Sequence, residues 1–97
     1  MDKKKLNKIK SQLEAMQISP QGRKCNEFTK LAKKLGREED GRREPTFVRT
    51  RDPALSPPLS IPKHPGDMKT GTARSIIEAL LSDVDDWEIY LQENEGK

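Results

Sequence analysis

Aromatic and other apolar residues are scarce in this sequence of 97 residues. Only 31% of the residues are hydrophobic and 4% are aromatic, whereas 36% are charged. A chain of this length and composition buries barely enough apolar surface to offset the entropy lost on ordering it. We therefore expect one small α+β domain with a single core and extensions at its ends, and not two independent domains.

Cysteine and histidine are almost missing as well. The single cysteine, Cys25, excludes an internal disulfide bond, and no Cys/His cluster has the spacing of zinc ligands. We predict no metal site and no cofactor. Cys25 itself is interpreted as a small apolar core residue, because no neighbouring residue marks it as a nucleophile.

The chain also has no long hydrophobic run. None approaches the roughly 18 residues that a membrane-spanning helix needs, and the basic residues 1–10 are not followed by the apolar segment of a signal peptide. These absences predict a soluble protein of the reducing cytoplasm that does not associate with a membrane.

The net charge of +3 is unevenly distributed along the chain. Residues 1–44 contain 13 Lys/Arg and 7 Asp/Glu, whereas residues 76–97 contain 7 Asp/Glu and one Lys. A basic body favours a polyanionic partner such as RNA, or an acidic protein. Solvated helix faces without any partner would explain the same charges equally well.

Apolar residues at helical spacing predict four helices, at 3–17, 26–35, 71–81 and 84–94. The second helix has Asn26 as its N-cap and ends at Gly36, and the third is capped near Thr70 or Thr72. The segment that begins at Ser82 resembles a capping box and predicts a break between the last two helices.

Two short strands are predicted at 46–50 and 58–62, where β-branched and apolar residues alternate between prolines. Residues 37–44 are almost without apolar side chains and fit either a turn or an exposed edge strand. We expect these segments to pair locally in a two- or three-stranded antiparallel sheet.

Two sequence motifs lie close together before and within the third predicted helix. Residues 61–64, IPKH, are followed by residues 69–76, KTGTARSI, and the earlier helix at 26–36, NEFTKLAKKLG, closes on Leu-Gly. This order resembles the HicA (YcfA-like) toxins of bacterial toxin–antitoxin pairs, in which Val/Ile-Pro-x-His precedes Lys-x-Gly-Thr-x-x-Ser-Ile. The HicA-like domain would span residues 18–81.

The resemblance leaves an N-terminal amphipathic helix over 1–17 and an acidic C-terminal helix and tail over 82–97 outside the domain. It implies a fold similar to a double-stranded-RNA-binding domain, with a small sheet packed on two helices. It also implies action on messenger RNA and an acidic HicB-like antitoxin as partner. No residue pattern specifies an oligomeric state.

The sequence departs from the HicA pattern at the residue that performs catalysis. HicA toxins usually carry Gly-Ser-His on the strand after the opening helix, whereas residues 41–47 here are GRREPTF, without a histidine. The only imidazole is that of His64, and proton transfer near neutral pH is the usual task of histidine in RNA cleavage. His64 is therefore the candidate catalytic residue of an impaired or altered mRNA interferase, or else a structural residue of a proline-bounded turn.

Cations in two places are candidates for RNA phosphate binding. One group, Lys63, Lys69 and Arg74, surrounds Gly71 and Thr72 at a helix start, where backbone N–H groups and the helix dipole favour an anion. Alternatively, Gly71 and Thr72 merely cap the helix.

The other group lies along the extended segment and consists of Arg42, Arg43, Arg49 and Arg51. In a strand, such cations form a row suited to a phosphate backbone, or they protect a sheet edge against aggregation.

Two other functions compete with RNA binding. The first is a protein-interaction module without enzymatic activity, which would bind an acidic antitoxin-like partner or dock its last helix on a neighbouring chain. The second is a DNA-binding helix-turn-helix, which the break at Ser19-Pro20 disfavours. We also expect Trp87 and Leu91 to pack the acidic last helix against the body, close to the basic first helix.

Overall fold

The computed structural model describes residues 2–40, 46–49, 58–61 and 68–94. The elements in chain order are α1 (Lys3–Ile18), α2 (Cys25–Lys34), β1 (Arg37–Asp40), β2 (Thr46–Arg49), β3 (Leu59–Ser60) and α3 (Thr70–Asn94). The predicted α+β class is confirmed.

Helix α1 forms because a cap and an apolar stripe coincide. The Asp2 carboxylate accepts a hydrogen bond from the backbone N–H of Lys5 at 2.7 Å, which satisfies one of the unpaired donors of the first turn. The buried side chains are the four that the helical spacing predicts: Leu6, Ile9, Leu13 and Met16.

Helix α2 begins one residue earlier than its sequence pattern predicts. Its N-cap is Lys24, whose backbone N–H donates to the Glu27 carboxylate at 2.7 Å, so the prediction of Asn26 as the cap is wrong. Glu27 fixes the N-cap at Lys24, because its side chain reaches back to the cap residue from the third helical position. The predicted end is confirmed, since Gly36 has a φ of 92°, a value that glycine adopts without strain.

The three strands form an antiparallel sheet in the order β1-β2-β3. Arg37 of β1 lies opposite Arg49, and Phe47 of β2 lies opposite Leu59. Both predicted strands are present with narrower bounds, and the segment after α2 begins as an edge strand.

The C-terminal region corrects the sequence prediction. One continuous helix, α3, replaces the two helices predicted at 71–81 and 84–94, so a separate C-terminal helix is wrong. Asp83 does not cap a new helix, because its carboxylate is buried and pairs with Arg37. At about 1.5 Å per residue, α3 extends for about 37 Å.

The core lies where α1, α2 and the sheet meet α3. Phe28, Phe47 and Leu80 are fully buried in it. Trp87 is 9% exposed and its indole N–H donates to the Leu35 carbonyl at 2.7 Å, which confirms the predicted packing of the acidic segment onto the body. Among the described residues, no helix is long and apolar enough to cross a membrane.

Candidate functional site

The start of α3 is fixed next to the start of α2. The backbone N–H of Met68 donates to the Arg23 carbonyl at 2.8 Å, and the Met68 side chain is only 3% exposed in the core. Because Lys69 follows Met68 directly, and Lys24 follows Arg23, the first residues of the two helices lie on adjoining segments. This contact positions the cations of the candidate site.

The first turn of α3 presents groups suited to an anion. Lys69 and Arg74 are exposed, and Thr72 is half-buried. The Lys69 carbonyl accepts from the N–H of Ala73 at 2.9 Å, which starts the helix. The N–H groups of Gly71 and Thr72 precede the first intrahelical donor and meet no acceptor among the described residues.

Gly71 has no packing reason to be glycine within the described part of the chain. Its backbone is helical, and a Cβ built on it would meet no heavy atom within 4 Å. Glycine is unfavourable in a helix by up to about 1 kcal/mol relative to alanine. The open surface at Gly71 allows a ligand to approach the backbone closely.

Lys24 is a member of this region that sequence reasoning missed. Its side chain is exposed, and it directly follows Arg23, whose carbonyl accepts the hydrogen bond from Met68 at the start of the α3 segment. The Arg23 side chain is already engaged, since Nε donates to the Ser19 carbonyl at 3.1 Å and Nη1 to Glu27 Oε1 at 3.4 Å. Lys24 is thus the cation at the start of α2 that faces solvent.

Several predicted site residues lie outside the described residues. They are Arg42, Arg43, Arg51, Lys63 and His64. Arg49 lies at the end of β2, in register with Arg37. The structure therefore brings together Lys69, Gly71, Thr72 and Arg74 of the predicted set.

The described part of the site has the chemistry of a binding surface. It contains cations, backbone donors and a hydroxyl group, but the only histidine of the chain is His64. No group of three or more His, Cys, Asp or Glu that could hold a metal ion exists within the described ranges. These residues can neutralise and orient a phosphate group, and they supply no imidazole for proton transfer.

The site belongs to a small α+β protein in which a helix, a three-stranded meander and a long helix follow an additional N-terminal helix. No known protein family, curated protein or solved structure matches the chain. The function is therefore inferred from the residues and the fold of the chain itself.

Proposed function

We propose that this chain is a HicA-like RNA-binding protein that uses the first turn of α3 to bind an RNA phosphate. The order α2, β1, β2, β3, α3 agrees with the arrangement that the HicA resemblance implies. The motif at residues 69–76 falls on the start of α3, where the orientation of the backbone favours an anion. The element order supports the HicA-like fold, and the position of the motif supports phosphate binding.

The observation that carries the proposal is the combination of Gly71 with two exposed cations. Gly71 weakens the helix locally and packs against nothing in the described chain. Lys69 and Arg74 flank it without an ion-pair partner among the described residues. A phosphate bound at the N–H groups of this turn would account for the glycine and for both cations.

RNA binding in this proposal is separate from efficient cleavage. The strand that carries the catalytic histidine in HicA toxins lacks it here, so we propose an impaired or altered mRNA interferase. Its protein partner would be an acidic HicB-like antitoxin, which competes with RNA for the same cations.

The test is the affinity for a labelled RNA oligonucleotide over a series of salt concentrations. The logarithm of the binding constant should fall linearly with the logarithm of the salt concentration. Lys69→Gln should weaken binding and flatten that slope by about 0.7, the value for one phosphate contact on a single strand. Lys33→Gln on the exposed side of α2 serves as the control with the same charge change. An RNA affinity too low to show a salt dependence would refute the proposal.

One observation favours the alternative of a protein-interaction module. Ile89 in the second half of α3 is 56% exposed, with the exposed acids Asp85 and Glu93 one turn away on either side. An exposed apolar residue within an acidic surface suits docking on a neighbouring chain. In that case Ile89→Ser would abolish the association, and Lys69→Gln would leave it unchanged.

A further inference from the structure

Helix α1 lies outside the stretch that resembles HicA toxins, and its exposed side carries a cluster of lysines. Lys4, Lys5 and Lys8 line one shallow depression of about 250 Å³, together with Asp2. Lys8 is one helical turn from both of the others, so the three ammonium groups share one side of the helix. We call these three residues the α1 lysine cluster.

Among the described residues, the only carboxylate in the depression of the α1 lysine cluster is that of Asp2, one negative charge beside three positive ones. The Asp2 carboxylate is engaged as the helix cap by the N–H of Lys5, and no ion pair joins a described carboxylate to the side chain of a cluster lysine. Lys10, two residues further along, differs because it pairs with Glu88 at 3.1 Å. The cluster is therefore available to an anion from outside the chain.

Helix stability does not explain why lysines stand at this position. Apart from the capping Asp2, no acidic residue stands at the start of α1, although the positive end of the helix dipole favours acids and disfavours cations there. Like charges one turn apart also repel each other. Both effects destabilise α1 slightly, so a bound polyanion is a better reason for the cluster than helix formation.

The surroundings of the cluster distinguish between kinds of polyanion. A helix that binds a membrane surface inserts an apolar face, but the apolar face of α1 is buried in the core. A protein interface is depleted in lysine and needs a buried anchor such as an aromatic side chain, and the depression contains none. A nucleic-acid backbone requires only cations.

We propose that the α1 lysine cluster is a second phosphate-contacting element for RNA, additional to the start of α3. The inference rests on the proposed function, because it takes RNA as the polyanion. Lys4, Lys5 and Lys8 contact phosphates of the backbone and not base edges, so α1 adds affinity without sequence preference.

The experiment compares two triple variants of the full chain. Lys4→Gln/Lys5→Gln/Lys8→Gln removes the cluster, and Lys30→Gln/Lys33→Gln/Lys34→Gln removes the same charge from exposed positions of α2. Binding of a labelled single-stranded RNA is measured by fluorescence anisotropy at several salt concentrations. We expect the α1 variant to flatten the salt slope by about 2, from three contacts at about 0.7 each, and the α2 variant to change it less. Unchanged circular dichroism spectra verify that both variants fold.

The outcomes separate this inference from the proposed function. If Lys69→Gln flattens the slope and the α1 variant does not, the cluster is not an RNA contact and the inference alone is overturned. Equal losses in both triple variants would assign the effect to net charge and overturn it too. The last measurement uses vesicles of phosphatidylcholine and phosphatidylserine in equal parts. If the wild type binds these vesicles through the cluster and does not bind RNA, the cluster is a membrane contact, and both proposals are overturned.

Discussion

Arg37 at the start of β1 and Asp83 in the middle of α3 form a buried bidentate ion pair. Arg37 Nε lies 2.5 Å from Asp83 Oδ2, and Nη2 lies 2.8 Å from Oδ1. Both side chains are 2% exposed, and the third guanidinium nitrogen, Nη1, donates to the Phe47 carbonyl at 2.7 Å. One side chain thereby connects two strands to the long helix.

The pair predicts an asymmetric response to substitution. Asp83→Ala should lower the free energy of unfolding by about 3 to 5 kcal/mol, because it leaves the Arg37 guanidinium buried without its counter-charge. Arg37→Met/Asp83→Leu should cost much less, since no buried charge remains. Urea unfolding of the single and double variants measures both values. A double variant less stable than Asp83→Ala would contradict this account.

The hydrogen bond between Trp87 and Leu35 gives a second prediction. Trp87→Phe keeps an aromatic ring but removes the indole N–H, so the Leu35 carbonyl stays buried without its donor. We expect a loss of about 1 to 3 kcal/mol in unfolding free energy. Gln92→Ala, on the exposed side of the same helix, should change it by less than about 0.5 kcal/mol. Because the chain has one tryptophan, its fluorescence reports the same site: the folded protein should emit at a shorter wavelength than the unfolded protein.

Helix α3 offers one substitution in two environments. Ile76 is 2% exposed and Ile89 is 56% exposed. Ile76→Asp should unfold the protein, because an unpaired carboxylate in the core costs several kcal/mol and small domains have only about 5 to 15 kcal/mol of stability. Ile89→Asp should melt within a few degrees of the wild type. Similar melting temperatures for the two variants would show that the buried face of α3 has been assigned wrongly.

The sequence was informative where local signals and packing agree. The stripe of Leu6, Ile9, Leu13 and Met16 predicts α1 and its buried face, because an apolar periodicity near 3.6 has few other solutions. It was misleading at Ser82 and Asp83, where a capping signal competes with the buried ion pair to Arg37. A contact 46 residues away in sequence decides that competition, and no local pattern reveals it.

The residues of the candidate site also differ in whether the sequence predicts them. Lys69, Gly71, Thr72 and Arg74 are predictable because they belong to one short motif at the start of one helix. Lys24 is not, since its link to this region is the tertiary hydrogen bond between Met68 and the neighbouring Arg23. Site residues that are neighbours in the sequence can be predicted from it, whereas residues that only the tertiary fold brings together require the structure.

The contact between Lys10 and Glu88 gives a pH-dependent prediction. A hydrogen bond and the charge of Glu88 raise the pKa of Lys10 above its ordinary value of 10.5. A raised pKa in the folded state means that the stabilisation is complete below pH 10.5 and is lost as the pH rises through the folded value. Glu88→Gln should lower the pKa of Lys10, measured by NMR titration of its ε-carbon. Glu14→Gln should lower it less, because Glu14 is a weaker cause of the shift. High salt should reduce the difference, since both side chains are partly exposed.

The separation of RNA binding from cleavage predicts different responses in the two activities. Binding needs only a suitable array of cations, whereas cleavage needs a positioned group for proton transfer. Such a group is typically worth about a hundredfold to ten-thousandfold in rate. The chain should therefore bind RNA but cleave it slower by about that factor than a HicA toxin with the strand histidine.

Any residual cleavage should depend on His64, because it is the only imidazole of the chain. His64→Gln keeps a polar side chain of similar size but cannot exchange a proton near neutral pH. We expect it to abolish residual cleavage and toxicity on overexpression, while the melting temperature and the RNA affinity remain those of the wild type. Lys69→Gln is the complementary variant, since it should weaken RNA binding and leave His64 in place. Cleavage that survives His64→Gln at the full rate would remove His64 as the catalytic residue and would refute a mechanism that depends on an imidazole.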